Sequence, residues 1–400
     1  MERKIKIGII VALAAAVILG GMMAVIYGGA GKKAEQPQKK AAEPAEEGPA
    51  LNPLTGIELA DQNAEGRRIT AFVVENAPDA RPQWGMDDKK YSPDIILQGE
   101  VEGGITRTLW LYADYKKLPD VIGPMRSARP PYIHFSELFD AIFIHWGLSH
   151  SKAADGYVGA DKVFYQDKVD HINQMSYSDP VGLYGRDSSR AVSSEHTGIV
   201  HGDKVAAAIK DKGFRTTSKD CTELKFNDKA KKAGSKACND LTLQFSRVSY
   251  EPAVWTYNKE DKKYHTQDFQ NSLSRDNLLV LFDQTEYITK TNYKGSGSGV
   301  TYCDYGLSGG KGYYLSRGTV EKIRWKVKDG KLVLIDKEAM DRAAKKAEEK
   351  AKSDSSDESS DSSAEQASAE AKTIELKLNP GKTWIGWASA NNGGAIHLSE

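Results

Sequence analysis

Arg107, Arg126 and Arg129 are the most concentrated polar signal in the chain. Arg107 closes the string VEGGITR at 101–107, and the other two stand three apart in IGPMRSAR at 122–129. A guanidinium fork holds phosphate or carboxylate oxygens two at a time, so arginines converging on one spot make an anion pocket. If a helix starts around Ser127, its N-terminal N–H groups and dipole add to that pocket. Glu75, Glu100 and Glu102 supply the opposing carboxylates. Two accounts stay open: a site for a phosphate- or carboxylate-bearing ligand, or an internal network in which these arginines pair with these glutamates and bind nothing.

His134, His145 and His150 come next, with Trp146 and Ser149 among them. His145 ends an apolar run at 141–145, a place where a general base could sit, and it joins the candidate ligand residues. The plainer account makes it a buried structural group. No HExxH spacing and no nucleophile elbow accompanies these residues, so neither a metal site, a catalytic triad nor a cofactor is expected. The three cysteines form no CxxC or Cys/His cluster. Cys221 and Cys238 would close a loop worth about 3 kcal/mol as a disulfide; two free thiols are the alternative. The string GGKG at 309–312 lacks a hydroxyl residue after its lysine and leads into strand-like tyrosines, so it reads as a turn and not as a phosphate loop.

Positioning these residues requires a fold, and hydrophobic period supplies one. Strand-like runs fall at 69–74, 94–100, 105–112 and 141–145, with helices at 129–138 and 203–212. A mixed α/β domain is expected over 51–215. A lysine-rich connecting loop follows at 216–240. From 241 to 390 the runs turn β-rich, at 241–248, 254–257, 277–282, 299–305, 319–327 and 331–335, with a hairpin turn at Lys328-Asp329-Gly330. Trp255, Tyr257, Tyr264, Trp325, Trp384 and Trp387 cluster here; alternation along the strands predicts most of them in the core, with stacking of exposed rings on sugar faces as the alternative. A charged, serine-rich tract at 341–370 has no reason to pack and reads as an insertion between hairpin strands. The fold class is therefore α+β: an N-terminal mixed α/β domain, then a smaller β-rich domain.

The N-terminus sets the compartment. Residues 7–27 are an uncharged apolar run long enough, at about 1.5 Å per residue, to cross a bilayer's hydrocarbon core. They are expected to form a single transmembrane anchor behind a short cytoplasmic tail at 1–6. A flexible linker at 28–50 follows, with the folded domains outside the cytoplasm. No cysteine follows the apolar run at a lipid-attachment position. Lysine plus arginine equals aspartate plus glutamate, 55 against 55, which speaks against a nucleic-acid partner.

VEN at 74–76, ARPQ at 80–83, VEGGITR and IGPMRSAR together resemble the YerB-like family of bacterial cell-envelope proteins, as do Trp255-Thr256-Tyr257, Trp325-Lys326 and PGKTWI at 380–385. The resemblance implies an exported two-domain protein, often a lipoprotein, of unassigned activity. SEHT at 194–197 departs from the family's usual Pro-His-Asn, which leaves His196 without an implied role. The expectation that follows is an envelope module binding a wall polymer or another envelope protein. An enzyme acting on a phosphorylated envelope substrate and a purely structural interaction protein are the alternatives.

Overall fold

The computed structural model describes residues 48–354 and 373–400. The membrane helix expected at 7–27 and the serine-rich part of the insertion lie outside them. Among the described residues no helix is long and apolar enough to cross a membrane.

The first half supplies β1 (Thr70–Glu75), β2 (Ile95–Glu100), β3 (Thr106–Tyr112), α1 (Pro130–Glu137), β4 (Ile142–His145), α2 (Ala160–Asp167), β5 (His171–Asn173) and α3 (Val205–Asp211). The first three strands are buried along their whole length, which explains their nearly unbroken apolar runs. Gly103 and Gly104 turn the chain between β2 and β3 with φ of +62° and +79°, a region that costs glycine little. Space decides at Gly104 as well, because a Cβ there would lie 2.0 Å from the Val248 carbonyl oxygen.

The second half is β6 (Asp240–Gln244), β7 (Ala253–Asn258), β8 (Lys263–Thr266), β9 (Leu273–Arg275), β10 (Asn277–Asp283), β11 (Thr285–Lys290), β12 (Val300–Tyr305), β13 (Gly310–Ser316), β14 (Thr319–Lys328), β15 (Lys331–Ile335), α4 (Lys337–Asp354), β16 (Thr383–Ser389) and β17 (Ala395–Ser399). Asp329 and Gly330 both have positive φ in the β14–β15 turn, as the sequence signal requires.

Strands of both halves join one eleven-stranded sheet in the order Lys236–Ala237, β14, β13, β10, β16, β2, β3, β1, β4, β5, with β15 on β14. The strand after the insertion is central. β16 runs parallel to β10 on one side, Trp384 opposite Leu278, and parallel to β2 on the other, Trp384 opposite Ile96. The expected hairpin connection is made short of β16, which does not itself pair with β15. Only Glu375 bridges back to Ile335, before the chain crosses to the middle of the sheet. A strand with two buried flanks gains more from burial than one on an exposed edge. The molecule is mostly β, with short helices in the first half.

Alternation along β16 divides the core. Trp384 faces Trp255 of a second sheet, ordered β9-β8-β7-β6-β17, with ring centroids 5.3 Å apart. Trp387 faces the opposite side, 5.4 Å from Phe135 of α1 and 4.0 Å from Tyr305 of β12. Gly386 leaves room for the first contact: a Cβ would come within 2.4 Å of Leu243. The four tryptophans named from the sequence are all buried.

Candidate functional site

The arginine motifs meet beneath the β2–β3 turn. Arg129 caps α1 and closes a two-pronged pair with Glu102, Nε to Oε2 at 2.8 Å and Nη2 to Oε1 at 2.5 Å. Arg107 donates to the same Oε1 at 3.2 Å and to the Ser127 carbonyl at 2.9 Å. Burial would raise the Glu102 pKa, but the two guanidinium charges override it and hold the carboxyl at about 2. Arg126 pairs with buried Glu75 at 2.7 Å and reaches the exposed Glu195 at 3.2 Å. His196 Nδ1 lies 2.8 Å from the other Glu75 oxygen. Glu100 stands apart, buried at the end of β2 with its pKa raised by burial, and accepts the Tyr287 hydroxyl at 3.0 Å.

The helix expected at 129–138 runs from Pro130 to Glu137, past Ser127, and its first two positions are Pro130 and Pro131. Proline carries no N–H, so the helix terminus lacks the donors that an anion would use there. The arginines thus bind inward first. Arg107, Arg129 and Glu75 are buried and Arg126 is partly exposed; of these, Arg126 and Arg129 border open space.

That space is an open cleft of about 800 Å³. Its near wall is Arg126, Arg129, Trp146 and Arg186. Its far wall is the β11–β12 hairpin, which contributes Lys290, Tyr293, Lys294 and Tyr302. That hairpin is clasped to the first half: Lys290 Nζ donates to the His150 carbonyl at 2.6 Å and Lys152 Nζ to that of Thr291 at 2.6 Å. Tyr302 stacks on Tyr157 at 4.4 Å and lies 5.5 Å from the Arg129 guanidinium. Arg186 lies over the Trp146 ring at 4.6 Å. Among the described residues, Arg186, Lys290 and Lys294 have no carboxylate at ion-pair distance. The cleft therefore keeps a positive excess after Arg126 and Arg129 have been neutralised.

His145 does not reach the cleft. It is buried, and burial followed by the neighbouring His171 lowers its pKa to about 3. His145 Nδ1 lies 2.6 Å from the Gly147 carbonyl, so it must carry the proton. Its Nε2, 2.9 Å from His171 Nδ1, is then the acceptor. The second ring is left with a bare Nε2 lone pair, and His171 lines the cleft. Its own pKa is lowered to about 4, by burial and then by Lys212.

Sequence reasoning missed His171, Arg186, Lys290, Lys294 and Tyr302. His171 stands on a three-residue strand with no periodic signal, and the hairpin residues are far along the chain. Cys221, Cys238 and Cys303 are free thiols, so the loop at 216–240 is not bridged in this structure. Cys221 is half-exposed and Cys238 buried, each near a backbone carbonyl. Gly309 and Gly310 turn into β13 with no helix behind them.

Two family models cover most of the folded chain. Residues 54–215 match the N-terminal domain, and 241–341 the C-terminal domain, of a protein of unknown function, DUF3048. The chain belongs to the DUF3048 family. A relative from Bacillus subtilis (strain 168), named "Putative lipoprotein YerB", is 27% identical over 291 residues, spanning 70% of this chain and 79% of its own. The crystal structure of YerB from Bacillus subtilis has the same fold, with a TM-score of 0.62 at 22% identity, covering 87% of this chain and 99% of that one. Within the DUF3048 frame the cleft is composite. Its arginines come from the N-terminal match and its lysines from the C-terminal one.

Proposed function

We propose that this DUF3048 protein is an extracytoplasmic envelope module, anchored through residues 7–27, that binds an anionic polymer or ligand in the composite cleft. The observation that carries the reading is the set of three cations without an ion-pair partner among the described residues, Arg186, Lys290 and Lys294, facing an open groove with aromatic rings on both walls. Cations without a carboxylate partner favour a phosphate or carboxylate ligand, and flat rings give sugar faces a surface to lie on. The naming of the Bacillus relative as a lipoprotein supports the location.

The test is titration of the full-length chain with a glycerol-phosphate oligomer and with a neutral glycan of equal length. Binding of the charged oligomer alone, weakened by salt and by Arg186→Gln with Lys294→Gln, supports the reading. Equal affinity for both oligomers, or none for either, refutes it.

A second reading rests on His171. A neutral imidazole with a bare nitrogen lining the same cleft as the arginines suits general-base attack on a phosphorylated substrate. Turnover of a phosphoester that disappears in His171→Gln, with oligomer binding retained, would favour the enzyme.

A further inference from the structure

A separate cluster lies at the other end of α1. His134 and Glu137 occupy positions three apart on that helix, hence one face, and Asp167 is the last residue of α2. One ligand atom from each lies within 4.8 Å of the others. His134 Nε2 is 3.7 Å from Asp167 Oδ2, with the two side chains 35% and 38% exposed, so solvent reaches the site.

The electrostatics of this corner are unfavourable as they stand. Glu137 and Asp167 each end a helix, where the macrodipole is negative and a carboxylate is misplaced. The two carboxylates also face each other. Among the described residues, no lysine or arginine pairs with either. Asp304 of β12 adds a further negative charge close enough to His134 for the two to act on one another.

We propose that His134, Glu137 and Asp167 form a site for a divalent transition-metal cation that ties the C-terminal ends of α1 and α2 together. One nitrogen and two carboxylate oxygens suit zinc or manganese better than calcium, which prefers an all-oxygen shell. Ligand atoms around tetrahedral zinc lie roughly 3.4 Å apart. Closing from the present spacing needs about 1 Å of movement, within reach of rotation at the exposed Asp167 and His134 side chains. Three protein ligands leave one position open to water or a ligand group. The site is remote from the cleft, since α1 separates Arg129 from Glu137 by about 12 Å. Asp167 is distant along the chain from the other two and no metal motif links the three, so His134 alone stands out in the sequence.

The experiment is equilibrium dialysis of the untagged full-length chain, stripped with chelator, against Zn²⁺, read by elemental analysis. Co²⁺ in its place gives visible absorption that reports the ligand field. The expected result is one equivalent of zinc for the parent and at least about a tenfold loss of affinity in His134→Ala and in Asp167→Asn. Added zinc should raise the Tm of the parent alone. Asp167 is exposed, so its variant keeps the fold and guards against a trivial loss. Equal metal content in parent and variants, or none in the parent, overturns the site.

Discussion

The Tyr305 hydroxyl donates to the backbone carbonyl of Trp387 at 2.9 Å and accepts the Glu100 N–H at the same distance, while its ring stacks on the Trp387 indole. One side chain thus joins β12 to both β16 and β2, and fixes the hairpin that forms the far wall of the cleft. Tyr305→Phe leaves the buried Glu100 N–H without that partner and should cost about 1–3 kcal/mol in urea unfolding. A loss below roughly 0.5 kcal/mol would show that the hydroxyl is dispensable.

Trp384→Ala empties the contact between the two sheets. The ring is fully buried, and its Nε1 donates to Gln98 at 3.1 Å. The expected loss is about 3–5 kcal/mol, measured as a shift in the denaturation midpoint with an unchanged slope.

Glu102 predicts an acid limb. Its folded pKa of about 2 lies below the ordinary 4.5, so the folded state favours the ionised form. The associated stability is complete above about pH 4.5 and disappears as pH falls through about 2. It amounts to about 3 kcal/mol at most, because one fifth of the side chain is exposed. Glu102→Gln should flatten that limb and also destabilise the fold at pH 7, since Arg107 and Arg129 lose their shared partner. Unfolding free energies measured across this range check both effects.

His145 and His171 predict a second limb, at higher pH. Both have folded pKa values below the ordinary 6.5, at about 3 and about 4. The unfolded chain binds protons first, so stability is full above pH 6.5 and falls as pH drops toward 4. By pH 5 the loss is about 2 kcal/mol per histidine. The double variant His145→Gln with His171→Gln should show little change between pH 6.5 and 5, and a slope equal to the parent's would contradict the assignment.

Much of the fold was legible from residue order. The runs at 69–74, 94–100 and 331–335 became strands within about a residue, because their apolar periods are set by burial on the spot. The Asp329-Gly330 turn was legible for the same local reason. Partnership was not. That 383–389 inserts between 95–100 and 277–283 depends on contacts across most of the chain, which no window of sequence contains. The same limit governed the site. The arginine motifs pointed to a real convergence, yet whether Arg129 faces a ligand or Glu102 is a matter of ångströms. Arg186 and Lys290 carried no motif at all.

The central place of β16 has a consequence for how the protein is made. β2 lacks one neighbour, and the two matched segments lack their seam, until residue 389 has been synthesised. Its parallel pairings close very long loops, which slows folding. A chain stopped anywhere before that strand would expose the flanks of β2 and β10 and present two unpaired edges to other molecules. Nascent and truncated forms are therefore expected to need protection from aggregation, and loss of the last few dozen residues should be as damaging as loss of an entire matched segment.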